Sequence, residues 1–279
     1  MIVFQDLSFT YKGEKKPALQ EICLTIPDGG FLGVIGPAGA GKTTLARAVS
    51  GMIPHHYTGD YYGSITVNGL DTVETSLDEI SRLVGMVFQD VDSQIISPMV
   101  EDEMLYGLEN FGVPREEITG RVAEALEKVG IAELRERTIG SLSGGQRQKV
   151  AIASILALKP QILVLDEPTG ELDPRSSRQV FSLLKELNDE QGITIILIEQ
   201  KIMLLCEFAR QLAVLSGGRI VFQGDTREVL SHSEELQALG VNCPRVMTLS
   251  HILSDRTGEA QPVCININEA EAMVRRLIP

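Results

Sequence analysis

A glycine-rich segment that ends in a lysine and a threonine could bind phosphate. The segment Gly36-Pro-Ala-Gly-Ala-Gly-Lys42-Thr43 matches the pattern G-x-x-x-x-G-K-[ST], follows the apolar run Phe31 to Ile35 and opens a helix-like stretch. In such a loop, backbone N–H groups and the helix N-terminus bind phosphate oxygens, Lys42 neutralises the β- and γ-phosphates, and the Thr43 hydroxyl is placed for Mg²⁺. The segment therefore predicts a nucleotide site, and a plain glycine-rich turn between a strand and a helix is the alternative.

Two adjacent carboxylates end an apolar run farther along the chain. In Ile162-Leu-Val-Leu-Asp166-Glu167 they follow a predicted buried strand, and ligands of open α/β sheets bind at the carboxyl ends of the strands. Asp166 would support Mg²⁺, and Glu167 would orient or deprotonate an attacking water. Because an acidic strand end is common in α/β proteins, this motif gains its meaning only together with the glycine-rich loop.

Two kinds of apolar pattern predict the elements that must position these groups. Ile2 to Phe9 and Ile22 to Ile26 alternate apolar with polar residues, as half-buried antiparallel strands do. Phe31 to Ile35, Ile162 to Leu165 and Ile193 to Ile198 are nearly continuous apolar runs, which favour a buried parallel sheet. Alternation of these runs with helix-like stretches predicts an α/β fold. The stretches are Lys42 to Ser50, Arg115 to Val129, Gly145 to Leu158 and Pro174 to Asp189.

The remaining segments predict a helical insertion and a C-terminal extension. Residues from about Asp90 to Leu142 have helical periodicity and little strand signal, so we expect a mostly helical insertion that continues to about residue 160. The acidic cluster Glu101, Asp102 and Glu103 suits the start of a helix within it. We expect the main domain over residues 1–235 and a small extension over 236–279. In that extension, a strand-like Val263 to Ile267 precedes an amphipathic helix with Ala270, Met273, Val274 and Leu277 on one face.

Composition disfavours several classes of protein. The 279 residues, 43% of them hydrophobic, suit one main domain with a small appendage. No apolar run approaches the roughly 18 residues of a membrane span, and no signal-peptide pattern opens the sequence, so we expect a soluble, non-secreted chain. The 25 basic and 38 acidic residues give a formal charge of -13, which disfavours a nucleic-acid partner. The cysteines form no C-x-x-C pair and are expected to be buried, reduced thiols: Cys23, Cys206, Cys243 and Cys264.

The segment Leu142-Ser-Gly-Gly-Gln146 discriminates among enzymes with a phosphate-binding loop, since few of them contain it. Together with the two motifs above it resembles the signature of the ABC ATPase family, which implies a P-loop NTPase fold with a central, mostly parallel sheet, a peripheral antiparallel β layer and a helical subdomain. The resemblance further implies that Ser143 and Gly145 contact the γ-phosphate of ATP bound to a partner subunit, at a helix N-terminus. A glycine-rich helix start without this function is the alternative.

Further landmarks of that family follow in the same order. Tyr11 resembles the aromatic residue that stacks on adenine, Gln89 the glutamine that senses Mg²⁺ and the membrane subunit, and Asp173 the aspartate at the dimer interface. Each alone would more simply be a packing or surface residue. The resemblance implies ATP and Mg²⁺ as cofactors, with Glu167, Lys42, Gln200 and Gln89 in catalysis and Thr43, Gln89 and Asp166 near the metal. The implied nucleotide contacts are Tyr11, Gly36, Pro37, Ala38, Gly39, Ala40, Gly41, Lys42, Thr43, Thr44, Ser143, Gly144, Gly145 and Gln146.

One position departs from the family pattern. The histidine that contacts the γ-phosphate aligns with Gln200 in Leu197-Ile198-Glu199-Gln200-Lys201. Glutamine donates a hydrogen bond but carries no proton or charge near neutral pH, so it supplies geometry without the electrostatics of histidine. With Lys42, Asp166 and Glu167 intact, we still expect ATP hydrolysis; a purely structural nucleotide-binding module is the alternative.

Other segments resemble the energy-coupling-factor class of importers, which includes cobalt and nickel uptake ATPases. They are Gly51-Met-Ile-Pro-His-His-Tyr57, Asn68-Gly-Leu-Asp71, Phe88-Gln-Asp-Val-Asp-Ser-Gln-Ile-Ile-Ser-Pro98, Val100-Glu-Asp-Glu103 and Gly107-Leu-Glu-Asn110. This resemblance implies uptake of a vitamin or a transition-metal ion and a dimer with an identical or paralogous ATPase, which the C-terminal extension would stabilise. It also implies a transmembrane coupling protein, a substrate-binding membrane protein and a peripheral location at the cytoplasmic face of the membrane.

Three other assignments fit the sequence less well. A chromosome-maintenance ATPase would carry a coiled coil between Lys42 and Ser143, where no heptad run is present. A translation-associated ABC protein would carry two ATPase modules and a basic linker. Another class of ABC transporter, or an ABC ATPase outside transport, remains the alternative to the energy-coupling-factor class. The adjacent His55 and His56 lack a third ligand nearby in the sequence and indicate a loop rather than a metal site.

Overall fold

The computed structural model describes residues 1–259 and 261–277. Its strands are β1 (Ile2–Tyr11), β2 (Leu19–Ile26), β3 (Phe31–Ile35), β4 (Gly59–Val67), β5 (Leu70–Asp71), β6 (Val84–Val87), β7 (Ile162–Asp166), β8 (Thr194–Ile198), β9 (Gln211–Ser216) and β10 (Arg219–Asp225). Its helices are α1 (Lys42–Val49), α2 (Met52–His55), α3 (Leu77–Leu83), α4 (Val91–Gln94), α5 (Val100–Asn110), α6 (Arg115–Val129), α7 (Gly144–Ala157), α8 (Pro174–Gln191), α9 (Ile202–Phe208), α10 (Thr226–Ser231), α11 (Ser233–Ala238), α12 (Arg245–Thr257) and α13 (Ile267–Leu277).

The central sheet has six strands in the order β10-β9-β3-β8-β7-β6. Its neighbours are parallel except for β10, which pairs antiparallel with β9. Every residue of β3, β7 and β8 is buried, because helices cover one face of the sheet and α1 with the antiparallel strands covers the other. The predicted buried parallel sheet is confirmed, and it aligns the carboxyl ends of β3, β7 and β8 at one edge.

A second sheet, in the order β2-β1-β4-β5, is antiparallel throughout. The alternating segments Ile2 to Phe9 and Ile22 to Ile26 lie in β1 and β2, as predicted. Their inward side chains, including Phe4, Phe9 and Ile26, pack with β3 and α1 in one core cluster. The antiparallel layer therefore supports the loop between β3 and α1 from the side.

The chain between β6 and β7 is helical, which confirms the predicted insertion. It contains α4, α5, α6 and α7 with two short 3₁₀ turns, at Ala132–Leu134 and Ile139–Ser141. The acidic cluster occupies the first turn of α5, as predicted, and the buried Glu103 carboxylate accepts hydrogen bonds from the backbone N–H groups of Ile96 and Ser97. The four predicted helices all form, within two residues of their predicted bounds.

The C-terminal region differs from the sequence prediction in one element. Residues 263–266 form no strand; the backbone carbonyl of Val263 accepts a hydrogen bond from Arg227, and the N–H of Ile265 donates to Glu269. Because side chains use these backbone groups, no neighbouring strand is needed to satisfy them. The amphipathic helix is confirmed as α13, and α12 before it was not predicted. Arg227 of α10 holds α13 through two hydrogen bonds to the Glu269 carboxylate, at 2.7 and 3.1 Å.

The prediction of buried thiols is confirmed for Cys206 and Cys264 and is wrong for Cys23 and Cys243. All four thiols are free; Cys206 and Cys264 are buried, Cys243 is half-buried, and Cys23 is exposed because it lies on the outer face of the edge strand β2. Burial raises the pKa of Cys206 to about 12, so this thiol stays protonated at neutral pH. No helix in the described residues is long and apolar enough to cross a membrane.

Candidate active site

The glycine-rich loop joins the end of β3 to the start of α1, where the sequence placed it. Gly36 has a φ of +153° and Gly41 a φ of +104°, and added Cβ atoms would lie 2.2 Å from the carbonyl oxygen of Leu215 and 2.5 Å from that of Ala18. Only glycine fits these two positions, because the backbone conformation and the close contacts both exclude a side chain. The loop conformation thus depends on two neighbouring segments of the chain.

Lys42 lies inside the loop that precedes it. Its Nζ donates hydrogen bonds to the carbonyl oxygens of Gly36, at 2.9 Å, and Pro37, at 3.0 Å, and the residue is only 8% exposed. The ammonium group is therefore already held at the centre of the loop. A nucleotide phosphate bound by the loop would replace neutral carbonyl partners with a charged one, which strengthens the hydrogen bonds.

Asp166 ends β7 as a buried carboxylate. The residue is 2% exposed, and its Oδ1 atom has no hydrogen-bond partner among the described residues. Burial raises its pKa above the ordinary aspartate value, while the hydroxyl of Thr43 and the charge of Lys42 act in the opposite direction. Because a buried carboxylate oxygen without a partner is unfavourable, a cation or a hydrogen-bond donor bound at this oxygen would stabilise it.

This donor set fits Mg²⁺. Asp166 and Thr43 supply one carboxylate and one hydroxyl oxygen, and Mg²⁺ in nucleotide sites takes one or two protein oxygens and completes its shell with phosphate oxygens and water. Among the described residues, no group of three or more His, Cys, Asp or Glu side chains could hold a metal ion alone. The site therefore suits a metal that arrives with a phosphate ligand.

Glu167 lies between two glutamine side chains. Its Oε1 accepts a hydrogen bond from Gln200 Nε2 at 2.7 Å, and its Oε2 accepts one from Gln89 Nε2 at 3.0 Å. Its backbone has a φ of +49°, which is uncommon for a non-glycine residue, and its N–H donates to Ile198 of β8. Three residues identified separately in the sequence thus converge, and each glutamine fixes one oxygen of the carboxylate.

Tyr11 lies beside α1, next to the glycine-rich loop. Its hydroxyl is 3.2 Å from Thr44 Oγ1 and accepts a hydrogen bond from Arg47 at 3.1 Å, and its ring meets Tyr57 edge-on. The guanidinium of Arg47 lies 4.2 Å from the centre of the Tyr57 ring. Sequence reasoning missed Arg47 and Tyr57; the only available signal was the spacing of Arg47, one helical turn after Thr43.

The Ser-Gly-Gly segment forms the start of α7. Ser143 caps the helix by accepting from the N–H of Gln146, whose side chain accepts in return from the N–H of Ser143. Asp173 caps α8 in a similar way, and hydrogen bonds from the hydroxyl and N–H of Ser176 hold its pKa below the ordinary value. The two helix starts line one cavity of about 490 Å³.

That cavity is separate from the phosphate-binding loop. Its described lining residues include none of residues 36–44; they are Ser143, Gly144, Gly145, Gln146, Arg147, Lys149, Glu171, Leu172, Asp173 and Ser176. Within one chain, the structure therefore does not bring the predicted signature contacts to the predicted nucleotide contacts. The two sets of predicted contacts therefore lie apart on one molecule.

The two adjacent histidines, His55 and His56, make contacts within the fold. His55 Nε2 lies 2.8 Å from the carbonyl oxygen of Thr72, and the ring of His56 packs edge-on against Tyr57. The expected loop is wrong for His55, which is the last residue of α2, while His56 follows as its C-cap.

These features define the class of protein: a P-loop NTPase with the fold of ABC ATPases, in which a mostly parallel sheet, an antiparallel sheet and a helical insertion surround the loop. Residues 19–170 match the family model described as ABC transporter. The chain is 42% identical over 256 residues to a putative ABC transporter ATP-binding protein of Pyrococcus abyssi, covering 92% of this chain and 91% of the relative. The chain therefore belongs to the ABC transporter ATP-binding family.

Two further comparisons concern length and structure. A putative ABC transporter ATP-binding protein of Methanosarcina acetivorans is 42% identical over 253 residues, and this chain spans only 40% of its length. The structure of cbiO1 from Clostridium perfringens, described as part of the ABC transporter complex cbiONQ, matches with a TM-score of 0.74 and 31% identity over 88% of this chain and 96% of that chain. A dimeric ATP-binding cassette bound to ADP and Pi matches with a TM-score of 0.72 and 27% identity over 81% of this chain and 99% of that chain.

Proposed function

We propose that this chain binds and hydrolyses Mg-ATP as the motor subunit of an importer of the energy-coupling-factor type. The observation that carries the proposal is the position of Glu167: its carboxylate follows the buried Asp166 and is held on both oxygens by Gln89 and Gln200. A carboxylate fixed in this way beside a phosphate-binding loop is suited to orient water or accept its proton.

In-line attack on the γ-phosphate requires phosphate binding, charge stabilisation and a positioned water, and different residues supply each of these. Backbone N–H groups of the loop and the Lys42 ammonium bind the phosphates and stabilise the developing charge, while Glu167 positions the attacking water. A Mg²⁺ ion held by Asp166 and Thr43 would neutralise phosphate charge. Because the amide nitrogen of Gln89 is used by Glu167, its amide oxygen is the atom that would contact the metal. Catalysis here consists of positioning and electrostatics.

Two copies, or this chain and a paralogue, complete the sites. The cavity formed by Ser143, Gly145 and Asp173 lies apart from the loop of the same chain, so a nucleotide on that loop needs the corresponding cavity of a second subunit. The helix starts in this cavity are suited to an anion. The dimeric form of the similar cassette bound to ADP and Pi supports this arrangement.

The transporter class rests on resemblance. The similarity to cbiO1, a part of the cbiONQ complex, supports an energy-coupling-factor assignment, and thereby uptake of a vitamin or transition-metal ion. The partners would be a transmembrane coupling protein and a substrate-binding membrane protein, with the chain at the cytoplasmic face of the membrane. The C-terminal extension, over residues 236–279, would stabilise the pair; its helices α12 and α13 enclose a small core of their own around Cys264, Ala270 and Met273.

Steady-state Mg-ATP hydrolysis across a series of protein concentrations tests the proposal, with Lys42→Ala as the blank. We expect activity that rises faster than linearly with protein concentration, because the glycine-rich loop of one subunit must meet the cavity at Ser143 of another. Glu167→Gln should retain ATP binding, accumulate an ATP-bound dimer and lower the rate by about 10² to 10⁴. A hydrolysis rate unchanged by Glu167→Gln would refute its role, and activity strictly proportional to protein at all concentrations would refute the shared sites.

A further inference from the structure

A second carboxylate, Glu199, is buried next to the site without belonging to the machinery described above. It follows β8, directly precedes Gln200 and is only 2% exposed. Its Oε1 accepts hydrogen bonds from the N–H and the hydroxyl of Thr169, and its Oε2 accepts from the backbone N–H groups of Gln200, at 3.0 Å, and Lys201, at 3.2 Å. Four donors use the full accepting capacity of a carboxylate, so this buried charge is satisfied.

Lys201 makes the complementary set of contacts. Its Nζ donates to the carbonyl oxygens of Thr169 and Leu172 and to the hydroxyl of Ser177. Thr169 is fully buried and thus bound from both sides, through its N–H and hydroxyl by Glu199 and through its carbonyl by Lys201. Leu172 immediately precedes Asp173, which caps α8 and lines the cavity between the starts of α7 and α8.

We propose that Glu199 and Lys201 are positioning residues, a Glu199–Lys201 brace, that hold Gln200 against Glu167 and tie the segment Glu171 to Asp173 to the same rigid unit. This inference rests on the proposed hydrolysis of ATP at Glu167. The segment that faces the second subunit and the carboxylate that orients water then move together. Glu199 and Lys201 both bind the buried Thr169, whereas the Gln200 side chain is exposed and, among the described residues, forms a hydrogen bond only with Glu167.

The location of the brace supports a positioning role. Glu199 and Gln200 line a cavity of about 180 Å³ together with Gly36, Pro37 and Ala38 of the glycine-rich loop. The Glu199 oxygens accept from Thr169 and from the backbone N–H groups of Gln200 and Lys201, so Glu199 acts on the site through Gln200. A shift of about 1 Å in a positioned group is enough to lower a rate severely, so the register of Gln200 matters to turnover.

The substitution Glu199→Gln isolates this role, because it keeps the size of the side chain and replaces one oxygen by an NH₂ group. One of the two donor pairs, on Thr169 or on the Gln200–Lys201 backbone, then faces a donor and is left unsatisfied. We expect kcat to fall about fivefold, which is the loss typical of one charge-assisted hydrogen bond at a partly exposed site, here the bond from Gln200 to Glu167. The KM for ATP should change less than about twofold. The phosphate-binding residues are not touched by the change.

A double-mutant cycle with Gln200→Ala separates positioning from general destabilisation. If Glu199 acts through Gln200, Glu199→Gln should lower kcat less than about twofold further in the Gln200→Ala background. An equal loss in both backgrounds would overturn the proposal. Lys201→Met, which keeps the aliphatic stem, should also lower kcat at constant KM, with Lys185→Met on the outer part of α8 as the matched control. Equal effects of the two lysine variants would overturn the role of Lys201.

A measurement that needs no turnover keeps the two proposals distinguishable. In protein labelled with ¹⁵N-glutamine, the Gln200 side-chain amide is identified by its absence in Gln200→Ala. We expect its hydrogen exchange to be at least about fivefold faster in Glu199→Gln, since the hydrogen bond to Glu167 is then less well held. Unchanged exchange overturns the brace. A wild-type chain that binds ATP without hydrolysing it would refute the proposed function and leave this result to decide the brace alone.

Discussion

Removing the Gln200 side chain should lower hydrolysis by a limited and calculable factor. The Gln200 Nε2 donates to a charged oxygen of Glu167 at 2.7 Å, and hydrogen bonds to charged groups contribute about 1.5–3 kcal/mol. Gln200 is exposed and Glu167 only half-buried, so water replaces part of the lost donor and we reduce the loss to about 1 kcal/mol. At about 1.36 kcal/mol per tenfold in rate, Gln200→Ala should lower kcat about fivefold.

The second glutamine limits this loss. After Gln200→Ala, Gln89 still holds the other oxygen of Glu167, at 3.0 Å, so the carboxylate keeps one fixed contact. The double variant Gln89→Ala, Gln200→Ala leaves neither contact and should fall by more than the product of the single effects, as expected for residues that share a partner. An amide does not titrate, so the ratio of wild-type to Gln200→Ala rates should stay constant between about pH 6 and pH 8.

The assay is single-turnover hydrolysis with protein in excess over Mg-ATP, together with a binding titration of a fluorescent ATP analogue. Gln237→Ala, which removes an exposed glutamine of α11, is the matched control and should match wild type. A loss in Gln200→Ala as large as that in Glu167→Gln would show that Gln200 acts on the reacting phosphate directly. A rate within experimental error of wild type would show that the hydrogen bond to Glu167 is dispensable.

Three further predictions concern the extension, the core and the thiols. The hydrogen bond from Arg227 of α10 lowers the pKa of Glu269, so the contribution of this contact to stability is present above the ordinary glutamate pKa and is lost as pH falls through the lowered value. The protection of the α13 amides against hydrogen exchange, relative to their intrinsic exchange rates, should therefore fall in acid, and at neutral pH in Glu269→Gln but not in Glu271→Gln. A Cβ at Gly85 would lie 2.3 Å from Ile155 Cγ2, so Gly85→Ala should lower the Tm, and adding Ile155→Ala should restore part of it. In native protein, Cys23 should react first with a thiol reagent, and faster as pH rises, since its hydrogen bond to Asp6 raises its pKa; mass spectrometry of labelled peptides that showed another cysteine first would contradict the assigned exposure.

The buried sheet and the loop could be predicted because their signals are local. Short apolar runs such as Phe31 to Ile35 and Ile162 to Leu165 have few stable environments other than a sheet covered on both faces. The glycine-rich pattern also carries its own conformation, since positions such as Gly36 accept no side chain. A local pattern of this kind predicts the element and its chemistry, although the close contacts at Gly36 come from Leu215, which is distant in the sequence.

Other features depend on contacts that no local pattern contains. The strand β4 was not predicted because its first residues, Gly59 to Tyr62, are mostly exposed and lack a continuous apolar face. The segment Val263 to Ile267 looked like a strand, but Arg227 and Glu269, far apart in sequence, take up its backbone groups. Arg47 and Tyr57 belong to the surroundings of Tyr11 only through the packing of α1 against the antiparallel sheet.

Sequence and structure each supply a different part of what is known about Gln200. Alignment to the family pattern identified the residue, and residue chemistry predicted that it would supply a hydrogen bond without a charge. Only the structure shows the acceptor, which is the Glu167 carboxylate, and shows that Glu199 and Lys201 on either side bind the same buried Thr169. Lys201 binds the carbonyl oxygen of Leu172, which precedes Asp173, and the neighbouring Gln200 binds the Glu167 carboxylate, so the two contacts are made by adjacent residues. In the proposed dimer, a movement of the second subunit at Asp173 would therefore reach the Glu167 carboxylate through Lys201 and Gln200, and Gln200 is the position that departs from the family pattern.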